Sequence, residues 1–198
     1  MGYLESRMHP MIKAFIVSDA LLYSSLNIVN ILFAVYVTTT VHGGTVESAT
    51  AAIASGFVIR IIVELSIGRR SSRLSDSGKL WLVVLGMVCI SASYAGFAIS
   101  HSLVQLTGLW MLNGAGWGMA LPTKLGIVAK YINHDQASQE WGLTDALNMA
   151  TIVVTMAIGA YIVAHFSFGL MFALAAVINT LGIVPYVVFV ASQRTQTS

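Results

Sequence analysis

Residues 48–79 read SATAAIASGFVIRIIVELSIGRRSSRLSDSGK. The first part, Ser48–Ile67, is apolar except for Arg60 and Glu64. It is long enough to cross the hydrocarbon core of a bilayer, which takes roughly 20 residues as a helix. The second part, Arg69–Lys79, carries four basic residues and an aspartate and belongs in water. A long apolar run followed by a short polar break recurs along the whole chain. Spans are expected at Met11–Thr38, Ser48–Ile67, Leu80–Ser100, Leu103–Ala129, Trp141–Ala164 and Phe168–Ala191. The breaks lie at His42-Gly43-Gly44, Arg69 to Lys79, Ser100-His101-Ser102, Lys130 to Glu140, and His165 to Ser167. None is long enough for a separate soluble domain, so residues 1–198 are expected to form one transmembrane domain. The fold class is an all-α membrane protein of six helices, with a polar, disordered tail at Ser192–Ser198.

Composition agrees. The 198 residues are 57% hydrophobic and only 9% charged, with a mean hydropathy of +0.80. Soluble domains carry roughly 25% charged residues, so lipid must cover most of this surface. A net charge of +2 is too small to suggest nucleic acid as a partner. The lone cysteine, Cys89, excludes a disulfide framework and a CxxC site. The first apolar run is too long for the core of a signal peptide, and no small-residue cleavage site follows it.

Basic residues set the orientation. Arg7, Lys13, Arg69, Arg70, Arg73, Lys79, Lys124, Lys130 and Arg194 fall at one set of span ends, nine of the ten Lys and Arg. The tenth, Arg60, lies inside a span, and the alternate turns at His42, His101 and His165 hold none. With an even number of spans, this asymmetry places both termini in the cytoplasm of a plasma (inner) membrane protein.

Ionisable groups inside a span cost at least roughly 2.5–3.5 kcal/mol each on insertion scales, so each needs a partner or a wet cavity. Arg60 and Glu64 are spaced i,i+4 and share a face, where they can pair. Asp19 lies at a similar depth in span one, making a triad of Asp19, Arg60 and Glu64 geometrically possible. The bland alternative is a neutralised pair that only fixes packing. Span one carries a polar stripe of Asp19, Tyr23, Asn27 and Asn30. Span five carries Asp145, Asn148, Thr155 and Gly159 on one face, and span four contributes Gln105, Asn113 and Lys124. Single Asn and Thr residues in membranes more often make interhelical hydrogen bonds. Stripes on several helices suggest a partly wet interior and a pathway for a small solute.

In span four, Gly114 and Gly118 form a GxxxG that admits close helix approach, and Pro122 favours a hinge. This glycine cluster cannot be a nucleotide loop, because no strand precedes it. Neither GxSxG nor HExxH is present. His42, His101 and His165 share one side but are expected as isolated interfacial residues, so no metal, no cofactor and no enzymatic activity is expected.

The loop Ser72-Arg73-Leu74-Ser75-Asp76-Ser77-Gly78-Lys79 resembles the signature G-x-L-[AS]-D-[RK]-x-G-[RK]-[RK] between helices two and three of the major facilitator superfamily. Asp76, Gly78 and Lys79 match with one residue deleted, while Ser72 and Ser77 replace a glycine and a basic residue. Asn113-Gly114-Ala115-Gly116 resembles the glycine-rich stretch of the family's fourth helix. Trp110 stands where the family often has a buried Arg tied to proton coupling, and Ala157-Ile158-Gly159 lacks the Gly-Pro of the antiporter motif. Span one, with Asp19 and Phe33-Ala34-Val35-Tyr36-Val37 before Gly43-Gly44, also resembles a first helix of the family.

The resemblance is to the N-terminal six-helix half of a twelve-helix protein. It implies two inverted three-helix repeats and alternating access, with the first and fourth helices lining the path. It also implies that Asp76 latches the two halves together, with Arg73 as its expected charge partner. A six-helix unit needs a second body, so a homodimer or a second half-transporter chain is expected as partner. The alternative is a non-transporting membrane protein that anchors or assembles other components.

Overall fold

The computed structural model describes residues 9–71, 73–132 and 137–188. It contains six helices: α1 (Pro10–Thr40), α2 (Val46–Ser71), α3 (Asp76–Ile99), α4 (Leu103–Tyr131), α5 (Ala137–His165) and α6 (Phe168–Leu181). Among the described residues there is no strand. Each helix lies over an expected span and most run a few residues further. Ser72 of the loop signature, the end of span six beyond Val188 and the tail lie outside the described residues.

Local chemistry fixes the ends. The Ser75 hydroxyl accepts from the Gly78 amide at 3.2 Å to start α3, and Ser167 accepts from Leu170 at 3.2 Å to start α6. Each caps an amide that has no carbonyl within its helix. Gly43, with φ of 71°, turns the chain between α1 and α2, a conformation that costs glycine little. At the end of α6, Pro185 has no N–H to donate to Leu181, so the helix breaks at Gly182 and resumes as far as Val188.

α4 packs most extensively against α2 and α3, while α1 packs against α5 and α6, and α3 meets α6. Exchanging α1 with α4, α2 with α5 and α3 with α6 maps this set of neighbours onto itself, the pattern expected of two interleaved three-helix repeats. α1 and α4 face each other with few contacts between them.

An aromatic cluster of Phe33, Tyr36, Phe97, Trp110 and Phe172 ties α1, α3, α4 and α6 together, with ring centroids 5.0–5.5 Å apart. Trp110, at the position of the family's arginine, is 3% exposed within it. Such rings contribute through both area and edge-to-face contact.

Five of the six helices are long and apolar enough to cross a membrane. The exception is α4, whose 29 residues would suffice in length. Gln105, Asn113, Lys124 and repeated glycines dilute its hydropathy, and it is the helix held between two others. The outward faces of α2 and α5 are richly apolar, with Phe57, Val58, Ile61, Ile62, Val153 and Val154 all exposed.

Candidate functional site

Asp19 does not join Arg60 and Glu64. Its carboxylate pairs with the Lys124 ammonium of α4 in a direct, buried contact. Lys124, expected both at the cytoplasmic end of span four and among its polar interior residues, is 1% exposed, and Asp19 is 5% exposed. The ammonium also lies 5.1 Å from the Phe15 ring centre and 5.8 Å from that of Tyr23. A carboxylate and two aromatic faces thus replace the water that a lysine loses on burial. Both residues sit about 10–14 Å in from the same end of the bundle, by helical rise.

The pair borders a cavity of about 270 Å³ between α1, α4 and α5, lined also by Tyr23, Trp141, Asp145 and Asn148. Asp145, at a matching depth, is exposed at this wall and has no partner among the described residues. The face of α5 that packs inward is Glu140, Thr144, Asn148 and Gly159. Of the expected stripe, Asn148 and Gly159 are therefore buried, Thr155 is half-buried and Asp145 lies at the edge. In α4, Gln105 is exposed and away from the interior.

A second cavity, of about 130 Å³, opens between α1, α2 and α4, lined by Asn30, Gly56, Arg60, Trp110, Asn113 and Trp117. Arg60 Nε reaches Glu64 Oε2 at 3.3 Å, with about a third or less of either side chain exposed. The guanidinium lies 5.3 Å from the Trp117 ring centre. Asn113 donates to Ser93 Oγ at 2.8 Å across to α3, and Asn27 folds back onto the Tyr23 carbonyl at 2.8 Å. Asn113 thus makes an interhelical hydrogen bond of the structural kind while also bordering the cavity, whereas the Asn27 bond stays within α1.

At the loop, Asp76 pairs with Lys130 at the end of α4 rather than with Arg73. The Tyr131 hydroxyl donates to the same carboxylate oxygen at 3.3 Å. The Lys130 hydrogen bond to Asp76 and the Asp76 charge raise the Lys130 pKa above the ordinary lysine value. Gly78 receives the Ser75 cap, and Lys79 adds positive charge near Asp76. The signature thus ties the start of α3 to the end of α4.

Gly114 and Gly118 pack within the bundle. A Cβ on Gly114 would overlap the Gly56 carbonyl, and one on Gly118 would meet Val63 Cβ at 2.8 Å and the Arg60 carbonyl at 2.9 Å. Gly116 faces the other way, where a Cβ would fall 2.5 Å from the Gly86 carbonyl of α3. α4 therefore touches α2 and α3 backbone to backbone. Pro122 sits inside α4, which stays helical on both sides of it. Among the described residues no group of His, Cys, Asp or Glu could hold a metal ion.

A family model described as Major Facilitator Superfamily matches residues 15–197, and the chain belongs to that superfamily. The fold and the family make it an integral, multi-pass membrane protein. No curated protein matches the chain, whereas 13 solved chains do. Among these is the in meso crystal structure of the POT family transporter PepTSo, with a TM-score of 0.72 and 16% identity. The superposition covers 90% of this chain and 37% of that one, so this chain spans about a third of its length. At that identity the likeness is one of fold.

Proposed function

We propose that these six helices form one body of a secondary transporter, not an enzyme, that moves a small solute across a plasma (inner) membrane by alternating access. The second body is another copy of the chain or a second half. The observation that carries this reading is the buried Asp19–Lys124 pair. It bridges α1 and α4, whose other side-chain meetings include the aromatic pairs Phe33–Trp110 and Tyr23–Trp117, beside a cavity. Charged groups within a membrane bundle characteristically mark solute or ion pathways. Family membership supports the same reading, because members move solutes by rocking two such bodies about a central site.

In this reading both termini face the cytoplasm. Asp19, Tyr23, Asn27, Asn30, Arg60, Glu64, Asn113 and Asp145 border the path, together with Lys124 as the partner of Asp19. The test uses the Asn27→Cys variant in a Cys89→Ser background, reconstituted in liposomes. A membrane-impermeant maleimide should reach position 27 from either side, with the ratio changed by a transported solute. Labelling from one side only, in a particle that holds a single chain and no partner, would leave an assembly or anchoring role as the better account.

A further inference from the structure

We propose that the cavity between α1, α4 and α5 binds a small organic cation, whose ammonium is held by Asp145. The inference rests on the transporter reading and names the class of ligand. The lining residues include two carboxylates, Asp19 and Asp145, but one ammonium, Lys124. Asp19 and Lys124 neutralise each other by direct contact, so the remaining charge at the wall is the Asp145 carboxylate, which has no partner among the described residues.

A second observation points the same way. Asn148, one turn along α5, lines the cavity while only 8% exposed, and its amide oxygen has no hydrogen-bond partner. Among the described residues this wall thus carries two unanswered acceptors, and the one ammonium lining the cavity is already paired with Asp19. A buried acceptor without a donor is unfavourable, and a ligand ammonium carries more N–H donors than one carboxylate uses.

The chain itself offers an example of this mode of binding beside the same cavity. Lys124 is held there by a carboxylate together with the faces of Phe15 and Tyr23. Trp141, edge-on to Phe15 with centroids 6.0 Å apart, lines the cavity alongside Asp145 and supplies the aromatic surface for a ligand's apolar part. A volume of about 270 Å³ lies just below the common range of ligand pockets, roughly 300–1,000 Å³. That limits the ligand to a single ring or a short chain beside its charge.

The experiment measures binding to the full chain in lipid nanodiscs by equilibrium dialysis at neutral pH. The three radiolabelled probes, benzylammonium, benzyl alcohol and benzoate, share a shape and differ in charge. Benzylammonium alone should bind saturably. Asp145→Asn should weaken it by about tenfold or more, as expected for loss of a charge-assisted hydrogen bond, and Asp145→Glu should restore most of the affinity. Asp145 is exposed, so neither change disturbs packing.

Saturable binding of benzoate or benzyl alcohol as strong as that of benzylammonium would overturn the proposal. So would unchanged affinity in Asp145→Asn, or no saturable binding of benzylammonium at all. Two-sided labelling of Asn27→Cys in sealed liposomes reports on alternating access separately. Intact alternation without ammonium binding sinks the ligand class alone. Ammonium binding with one-sided labelling sinks the transporter reading and leaves the binding site standing.

Discussion

Lys124 has lost its water and retains a carboxylate and two rings in exchange, so its stability hangs on Asp19. Removing one partner from a buried ion pair costs about 3–5 kcal/mol, whereas replacing both by apolar residues is often close to neutral. Lys124→Leu should therefore lower the thermal unfolding midpoint in nanodiscs sharply, and Asp19→Leu with Lys124→Leu should recover most of the loss. A double variant as unstable as the sum of the singles would show that the two residues act apart. The same comparison at Arg60 and Glu64 should give a smaller effect, since that pair is partly exposed. The two pairs also differ in how legible they are. Arg60 and Glu64 are four residues apart, and helical periodicity alone brings them together. Asp19 and Lys124 are separated by 105 residues, and no spacing rule connects them. Lys124 lies near enough to a span end to pass for a loop residue. Asp145 was legible as a polar residue within a span, but its place at a cavity wall depends on how α1, α4 and α5 assemble.

Among the helices, α4 is the one locked by its neighbours. Gly114→Ala would drive a methyl group into the Gly56 carbonyl, with only backbone there to yield. Gly108 and Gly126 have nothing within 4 Å of an added Cβ, so alanine at either should be tolerated. Helix propensity would favour it there by about 0.8–1 kcal/mol. Folded yield and unfolding midpoint of the three single variants make the check; equal behaviour would show that α4 is not packed backbone to backbone. The GxxxG pattern signalled close approach, yet it left open whether the neighbour was another helix of this chain or another molecule. The contact with Gly56 answers that. Asp76 ties α3 to α4 at one end of the bundle, and Asp76→Ala should alter the rate of maleimide labelling at Asn27→Cys while the protein stays folded. An unchanged rate would reduce the Asp76–Lys130 pair to a local tether. The sequence singled out Asp76 but suggested Arg73, its neighbour in the chain, over Lys130, its neighbour in space.

For the molecule as a whole, all six helices were legible, because each apolar run is long and each break is short and polar. The interleaving of the two repeats was not readable from the residues themselves, since it depends on which faces meet; the family resemblance supplied it. In the proposed orientation, cysteines at Gly44, Ser102 and Ser167 should react with impermeant reagent from outside, in a Cys89→Ser background. One at Ser138 should be protected, and outside labelling there would reverse the orientation. Native mass measurement in nanodiscs should find two chains per particle or a co-purifying partner. The composition of α4 also bears on how the protein is made. Carrying Lys124, Asn113 and Gln105 and short of the hydropathy of the other five, this segment is a poor candidate to enter lipid unaided. A lysine costs up to roughly 2.5–3.5 kcal/mol on insertion scales when at the centre of a span, and less toward its end, where Lys124 lies. During synthesis, however, Asp19 of α1 and the glycine-lined faces of α2 and α3 leave the ribosome first. α4 should therefore be integrated as a late guest of helices already in the bilayer, and the same segment, placed alone behind an unrelated leader, should slip past the membrane instead of staying in it.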